Sequence, residues 1–139
     1  MRGREFIDLA RELLAGGTER HWRGASGRAY YGLFLEGREA LIRWGFVPPP
    51  RDSAHHFVRM RFVFPADADL KTIGAALCAL SRLRNLADYD LSALPEFRSD
   101  IRARRAYQKA TAALALLDGI EADPVRLAAA IAAIKAAFP

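Results

Sequence analysis

The stretch Arg82-Leu83-Arg84-Asn85-Leu86-Ala87-Asp88-Tyr89 puts charge where a helical pattern calls for apolar packing. Read backward from it, Leu70, Ile73, Leu77, Leu80, Arg84 and Ala87 recur at the spacing of one helix face. Arg84 therefore falls on the predicted core stripe, with Asp88 one turn beyond. Burying an unpaired guanidinium is costly, so Arg84 has to pair with Asp88, reach another acid, or open onto a cleft where a ligand or partner brings negative charge.

Outward from this stretch the whole chain reads as helix. Alanine, leucine and arginine dominate while valine and threonine are scarce, a bias toward helices and away from strands. With 139 residues the chain is long enough for one domain with a real core and short for two. The predicted fold class is all-α: an up-down four-helix bundle core over about residues 4–118, with additional short helices, one of them appended at about 124–138.

Glycine and proline punctuate this pattern. Helix one runs from about Arg4 to Ala15 and stops at Gly16-Gly17. A long second helix, capped by Thr18, continues to about Trp44; its four internal glycines, Gly24, Gly27, Gly32 and Gly37, predict close approach by a neighbour or a break near Gly24. Pro48-Pro49-Pro50 make a stiff connection to a short helix capped by Ser53 and spanning Ala54 to about Phe62. The fourth helix starts near Asp67 or Asp69 and ends near Asp88, Leu91 to Pro95 form a loop, and a fifth runs from about Glu96 to Leu117, ended by Gly119. Asp123-Pro124 opens the last helix, which is predicted to lie as a lid on the bundle or to make a dimer contact.

Several classes of function find no support. Cys78 is the one cysteine, so neither an intrachain disulfide nor a cysteine metal cluster is possible. His55 and His56 are adjacent and point about 100° apart on a helix, so they cannot both ligate one metal from one face. No Gly-rich phosphate loop, Ser-His-Asp arrangement or carboxylate ladder is present, and neither a metal nor a cofactor is expected. No segment is apolar for long enough to cross a bilayer, and Asp8 and Glu12 interrupt the first apolar pattern, which rules out a signal-peptide reading there; a cytoplasmic, reducing setting with no membrane partner is expected. The net charge of +5 favours a polyanionic partner, though modestly, since arginine-rich chains are often basic without binding nucleic acid.

Ser26-Gly27-Arg28-Ala29-Tyr30-Tyr31-Gly32-Leu33-Phe34, Ala40-Leu41-Ile42-Arg43-Trp44-Gly45, a short segment with His55 and Val58, and Arg84-Asn85-Leu86-Ala87-Asp88-Tyr89 occur in that order. Together they resemble the HEPN domain superfamily, in its branch with an Arg-Ala-Tyr-Tyr second helix and an Arg-x-x-Ala-Asp-Tyr motif. The likeness extends over about Phe6 to Leu117. It implies a four-helix up-down core that forms a homodimer, with the arginine motifs of two protomers facing each other across a cleft. It further implies a toxin–antitoxin or defence-type module that binds RNA or a nucleotide-linked partner, in some cases a minimal nucleotidyltransferase.

Many HEPN proteins are metal-independent ribonucleases whose motif is an arginine, an adjacent polar residue and a histidine. In this chain the arginine maps to Arg84 and the polar residue to Asn85, but the histidine position is Tyr89. The departure matters, because cutting RNA without metal needs a base for the 2′-hydroxyl, a cation for the phosphate and an acid for the leaving oxygen. An unperturbed tyrosine is a poor base at neutral pH, whereas histidine suits both proton transfers. The leading expectation is thus an RNA-binding or regulatory member with degenerate catalysis, its cleft built by Arg84, Asn85, Asp88, Tyr89 and His55. The alternative is an active endoribonuclease that draws its imidazole from His55 or His56. A third reading is a purely structural interaction module, in which Arg84 and Asp88 form an ion pair that locks the helix end. Within the resemblance, Tyr89 is also a candidate site for covalent modification by a nucleotidyltransferase.

A wider RNA track is expected from Arg82, Arg28, Tyr31, Arg98, Arg102 and Arg105, with Tyr31 on the side of its helix away from Tyr30 and available to stack a base. For the arginine row the bland alternative is a solvated helix face.

Overall fold

A computed structural model describes the chain from Met1 to Pro139. Its helices are α1 (Arg4–Leu14), α2 (Glu19–Arg43), α3 (Ser53–Val63), α4 (Ala68–Tyr89), α5 (Ile101–Glu121) and α6 (Pro124–Ala137), with a 3₁₀ turn at Pro95–Phe97 and no strand. The all-helical class is the one that the periodic apolar stripes call for.

Long-range contacts give the order of packing. α1 runs antiparallel to α2, since Gly3 meets Leu35, Ile7 meets Gly32 and Leu13 meets Gly24. The start of α2 lies beside the end of α4, where Gly27 faces Arg84 and Asp88, so these two are antiparallel as well. The end of α2 meets the end of α5, where Trp44 Nε1 donates to Glu121 Oε2 at 3.1 Å. These four helices alternate in direction around a core that includes Leu33, Leu41, Ile73, Leu77, Leu117 and Ile120, each essentially inaccessible to water. α3 crosses α2 and α4: Phe62 fills the space over Gly37, and the end of α3 presses its backbone on Gly74.

The glycines of α2 serve close approach. α2 is continuous from Glu19 to Arg43, so there is no break near Gly24. At Gly32 an added methyl group would sit 3.0 Å from the backbone nitrogen of Ile7 and 3.1 Å from the Gly3 carbonyl oxygen, so only hydrogen fits between α1 and α2. The buried Glu36 is also spent on that contact, accepting from the Arg4 backbone N–H at 2.9 Å and so occupying a donor that the first turn of α1 leaves free.

Three boundaries differ from the sequence reading. Asp52, not Ser53, is the residue before α3. The fifth helix does not start at Glu96: Pro95 opens a separate 3₁₀ turn, and α5 begins at Ile101. Gly119 does not end α5, which continues to Glu121, because the backbone there stays helical and no left-handed residue is required. The caps read from sequence at Asp67 and Asp123 are present, with side chains accepting from Leu70 and Val125 N–H groups. α6 lies on the bundle as a lid, tied by Arg126 to Asp67 and Asp69 and resting Phe138 beside Phe64. No helix is long and apolar enough to cross a membrane.

Candidate functional site

α2, α3 and the end of α4 converge on a polar cavity of about 320 Å³ lined by Tyr30, Tyr31, Asp52, His55, Arg59, Ser81, Arg84, Asn85 and Tyr89. Helical spacing explains why each element delivers what it does. His55 and Arg59 are one turn apart on α3, as are Ser81 and Asn85 on α4, and Arg84 lies between the latter two on the same face.

Arg84 continues the α4 stripe of Leu70, Ile73, Leu77 and Leu80, all buried, but its own side chain stays 17% exposed at the edge of the core. Its guanidinium is held on every side. One terminal nitrogen donates to the Tyr31 hydroxyl and the other to Asn85 Oδ1 at 3.3 Å. Its Nε lies 2.9 Å from Asp88 Oδ2, but the N–H is not aimed at that oxygen, so the contact is an ion pair by proximity rather than a directed hydrogen bond. The cation lies 4.9 Å from the centre of the Tyr31 ring and 5.3 Å from that of Tyr89.

His55 enters the same cavity from α3. Its ring stacks on Phe34 with centroids 4.0 Å apart, and its Nδ1 is 2.7 Å from the Tyr30 hydroxyl. Burial, followed by the nearby Arg59 and Arg84 charges, pulls the imidazole below its ordinary pKa, against a weaker upward pull from Asp52. Burial likewise pushes the Tyr30 phenol above its ordinary pKa, opposed by Arg59. At neutral pH the pair is therefore a neutral imidazole beside a neutral phenol. Arg59 reaches Ser81 Oγ at 3.4 Å and pairs with no carboxylate, so it presents an uncompensated cation to the cavity.

The fate of the remaining predicted residues divides. Tyr31 is half-buried, packs edge-on against Tyr30 at 5.6 Å and belongs to the cavity wall, instead of facing away from Tyr30 as an open stacking platform. Arg28 is exposed and lies over the Phe6 ring at 5.3 Å, apart from the cavity. Arg82 and Arg98 point to solvent. Arg102 and Arg105 line a groove with Ala79 and Leu83. That groove lies about a third of a helical turn around α4 from Arg84 and nearly opposite Ser81 and Asn85 of the cavity. The arginine row and the Arg84 cavity are therefore two surfaces, not one continuous track. His56 is exposed and outside the cavity, which leaves His55 as its one imidazole. Tyr89 is 73% exposed.

Sequence reasoning passed over Arg59, Ser81, Asp52 and the Tyr30 hydroxyl. Arg59 was detectable as the residue one turn beyond His55. Tyr30 is buried, as a core residue should be, yet its hydroxyl also reaches the cavity. Another missed arginine builds the floor of the region. Arg23 donates to the carbonyls of Leu86, Ala87, Asp90 and Ser92 and lies over the Phe97 ring at 4.7 Å, closing the end of α4 just beneath Asp88 and Tyr89.

A larger cavity, about 620 Å³, opens between α1 and the end of α2. Three of its arginines are paired with carboxylates of its own wall, Arg4 with Glu36, Arg38 with Glu39 and Arg43 with Glu121, which leaves Arg2 as its arginine outside any ion pair. No group of histidine, cysteine and carboxylate side chains is placed to hold a metal ion. What the Arg84 cavity can do chemically is grip an anion with two guanidinium groups beside a neutral imidazole. No protein-family model, curated protein or solved structure matches this chain.

Proposed function

We propose that this chain is a HEPN-like protein that binds the phosphate backbone of RNA in the Arg84 cavity, as a homodimer in a toxin–antitoxin or defence setting. The observation that carries it is the pairing of two guanidiniums in one cavity: Arg84, fixed by Tyr31 and Asn85, and Arg59, free of any carboxylate. A planar, pre-oriented guanidinium matches two oxygens of a phosphodiester, and the exposed Tyr89 ring beside it suits an adjacent base. The resemblance adds support, because the Arg-Ala-Tyr-Tyr segment and the Arg-x-x-Ala-Asp-Tyr segment meet here through the Tyr31–Arg84 contact.

Fluorescence anisotropy with labelled single-stranded RNA tests this reading. Binding should weaken as salt rises, and Arg59→Ala and Arg84→Ala should each weaken it by roughly tenfold. Equal affinity in wild type and both variants would remove the proposal.

A second reading, a metal-independent endoribonuclease, is favoured by one observation: His55 shares the cavity with Arg84 although the motif position itself holds Tyr89. A neutral imidazole is able to take the 2′-hydroxyl proton as that oxygen attacks phosphorus, and then to return it to the 5′-oxygen as the P–O5′ bond breaks, while Arg84 and Arg59 hold the phosphate charge. RNA cleavage in EDTA that is lost in His55→Ala would select this reading over binding alone.

A further inference from the structure

We infer that copies of this chain associate through α1 of one copy seated in the α4–α5 groove of another. This contact is separate from the Arg84 cavity and would exist whether or not RNA binds there.

The groove consists of two adjoining cavities of about 250 and 540 Å³ that share Arg105 and Lys109. Its floor is alanine for most of its length, Ala75, Ala76 and Ala79 from α4 and Ala106 and Ala112 from α5, with the buried Leu80 and Leu83 at one end, so a helix backbone can come close. Arg102, Arg105 and Lys109 form its basic edge. None of the three is in an ion pair, and no carboxylate lines the groove; Glu96 stands beside Arg102 only beyond its end. Like charges at this spacing repel one another until an anion is supplied.

α1 carries the complementary row. Glu5, Asp8 and Glu12 are exposed and unpaired with any basic side chain, and the half-exposed Leu9 lies beside them as an apolar ridge. The offsets from the first residue are the same in both rows, three and then seven, for Glu5, Asp8 and Glu12 and for Arg102, Arg105 and Lys109. Each row spans about 10 Å along its helix axis. Laid side by side, the helices bring all three acids opposite the three bases. Arg11, the exposed base on α1, lies about a quarter turn away from the acidic row and is clear of the contact. An acid row and a base row on one molecule, neither in an ion pair and both equal in spacing, thus point to a second copy as the occupant, with Glu5 also accepting from the Arg2 backbone N–H.

Light scattering on the full chain at low and high ionic strength tests the inference. Association should be present at low salt and fall as salt screens the rows. Asp8→Arg and Arg105→Glu, both at exposed positions, should keep the wild-type circular dichroism and each weaken association by roughly tenfold. Mixing the two variants should restore it, because the first keeps a normal groove and the second a normal α1. A wild type that stays monomeric at low salt overturns the inference. So does association that neither reversal changes, which would place the contact elsewhere, such as the Arg84 cleft.

Discussion

The Nδ1 of His55 lies 2.7 Å from the hydroxyl of Tyr30, joining α3 to α2 at the back of the Arg84 cavity. Burial, and then the Arg59 and Arg84 charges, disfavour the imidazolium there. His55 should therefore titrate below its ordinary value of 6.5. That shift ties stability to pH. In the window between the folded value and 6.5 the unfolded chain binds more protons, so this contribution is complete above the window and is lost as pH falls through it. An NMR titration of the His55 ring should give a midpoint under 6.5, raised in part but not wholly by Arg59→Ala, since burial is the larger cause. A midpoint at or above 6.5 would contradict the geometry.

Arg23 should prove as important to the site as the residues that line it. Its side chain is 11% exposed and ties four carbonyls at the end of α4 and in the adjoining loop. Arg23→Ala leaves the Ala87, Asp90 and Ser92 carbonyls without this donor, while Leu86 keeps the Asp90 N–H, and should cost about 2–3 kcal/mol by chemical denaturation. Hydrogen exchange should show the loss of protection concentrated from Leu86 to Ser92. A uniform loss across the chain would mean that Arg23 supports the bundle and not this end of α4.

Two helical glycines should respond to alanine in opposite directions. At Gly32 the new methyl group would press on the α1 backbone, which cannot swing aside, and Gly32→Ala should cost at least about 2 kcal/mol. At Gly119 nothing lies within 4 Å and the backbone is helical, so Gly119→Ala should stabilise by about 0.5–1 kcal/mol. Thermal melts of the two variants read the contrast directly.

The same glycines mark how far the fold was legible in the sequence. Proline and capping residues located most helices, because Asp67 and Asp123 act on N–H groups only three and two residues away. Gly119 misled, since glycine ends a helix only where the chain must turn through a left-handed residue, and the course of the next segment sets that need. In the site, the Arg84–Asp88 pair was readable because it lies within one turn of one helix. His55 was readable as a candidate but not as a neighbour of Arg84, for that depends on the way α3 packs across α2 and α4. Arg23 was readable only as a partner of Glu19 one turn away; its hold on the end of α4 left no signal, because those partners are backbone carbonyls, which every residue type carries.

Arg126 fastens α6 to the first turn of α4, and that bond should set the chain's response to acid. It donates to both oxygens of Asp67 at 2.8 Å and to Asp69 at 3.1 Å, while Asp67 also caps α4 through the Leu70 N–H. Arg126, more than the cap, holds the Asp67 carboxyl below the usual range. A carboxyl depressed in this way contributes stability that is present above its unfolded pKa and is lost as pH falls through the folded value, so the weakening should begin below about pH 4. Because α6 meets the bundle through few elements, its release should precede global unfolding. Asp67→Asn should remove most of the acid dependence of α6 release, leaving that of Glu121, which Arg43 holds low, and should lower stability at neutral pH by about 1–2 kcal/mol through the lost charge-assisted bonds. Hydrogen exchange of α6 across an acid series reads the release. If α6 keeps its protection down to the pH at which the whole chain unfolds, Phe138 and the buried Ala130 and Ile134 hold it, and the Arg126 clamp is dispensable.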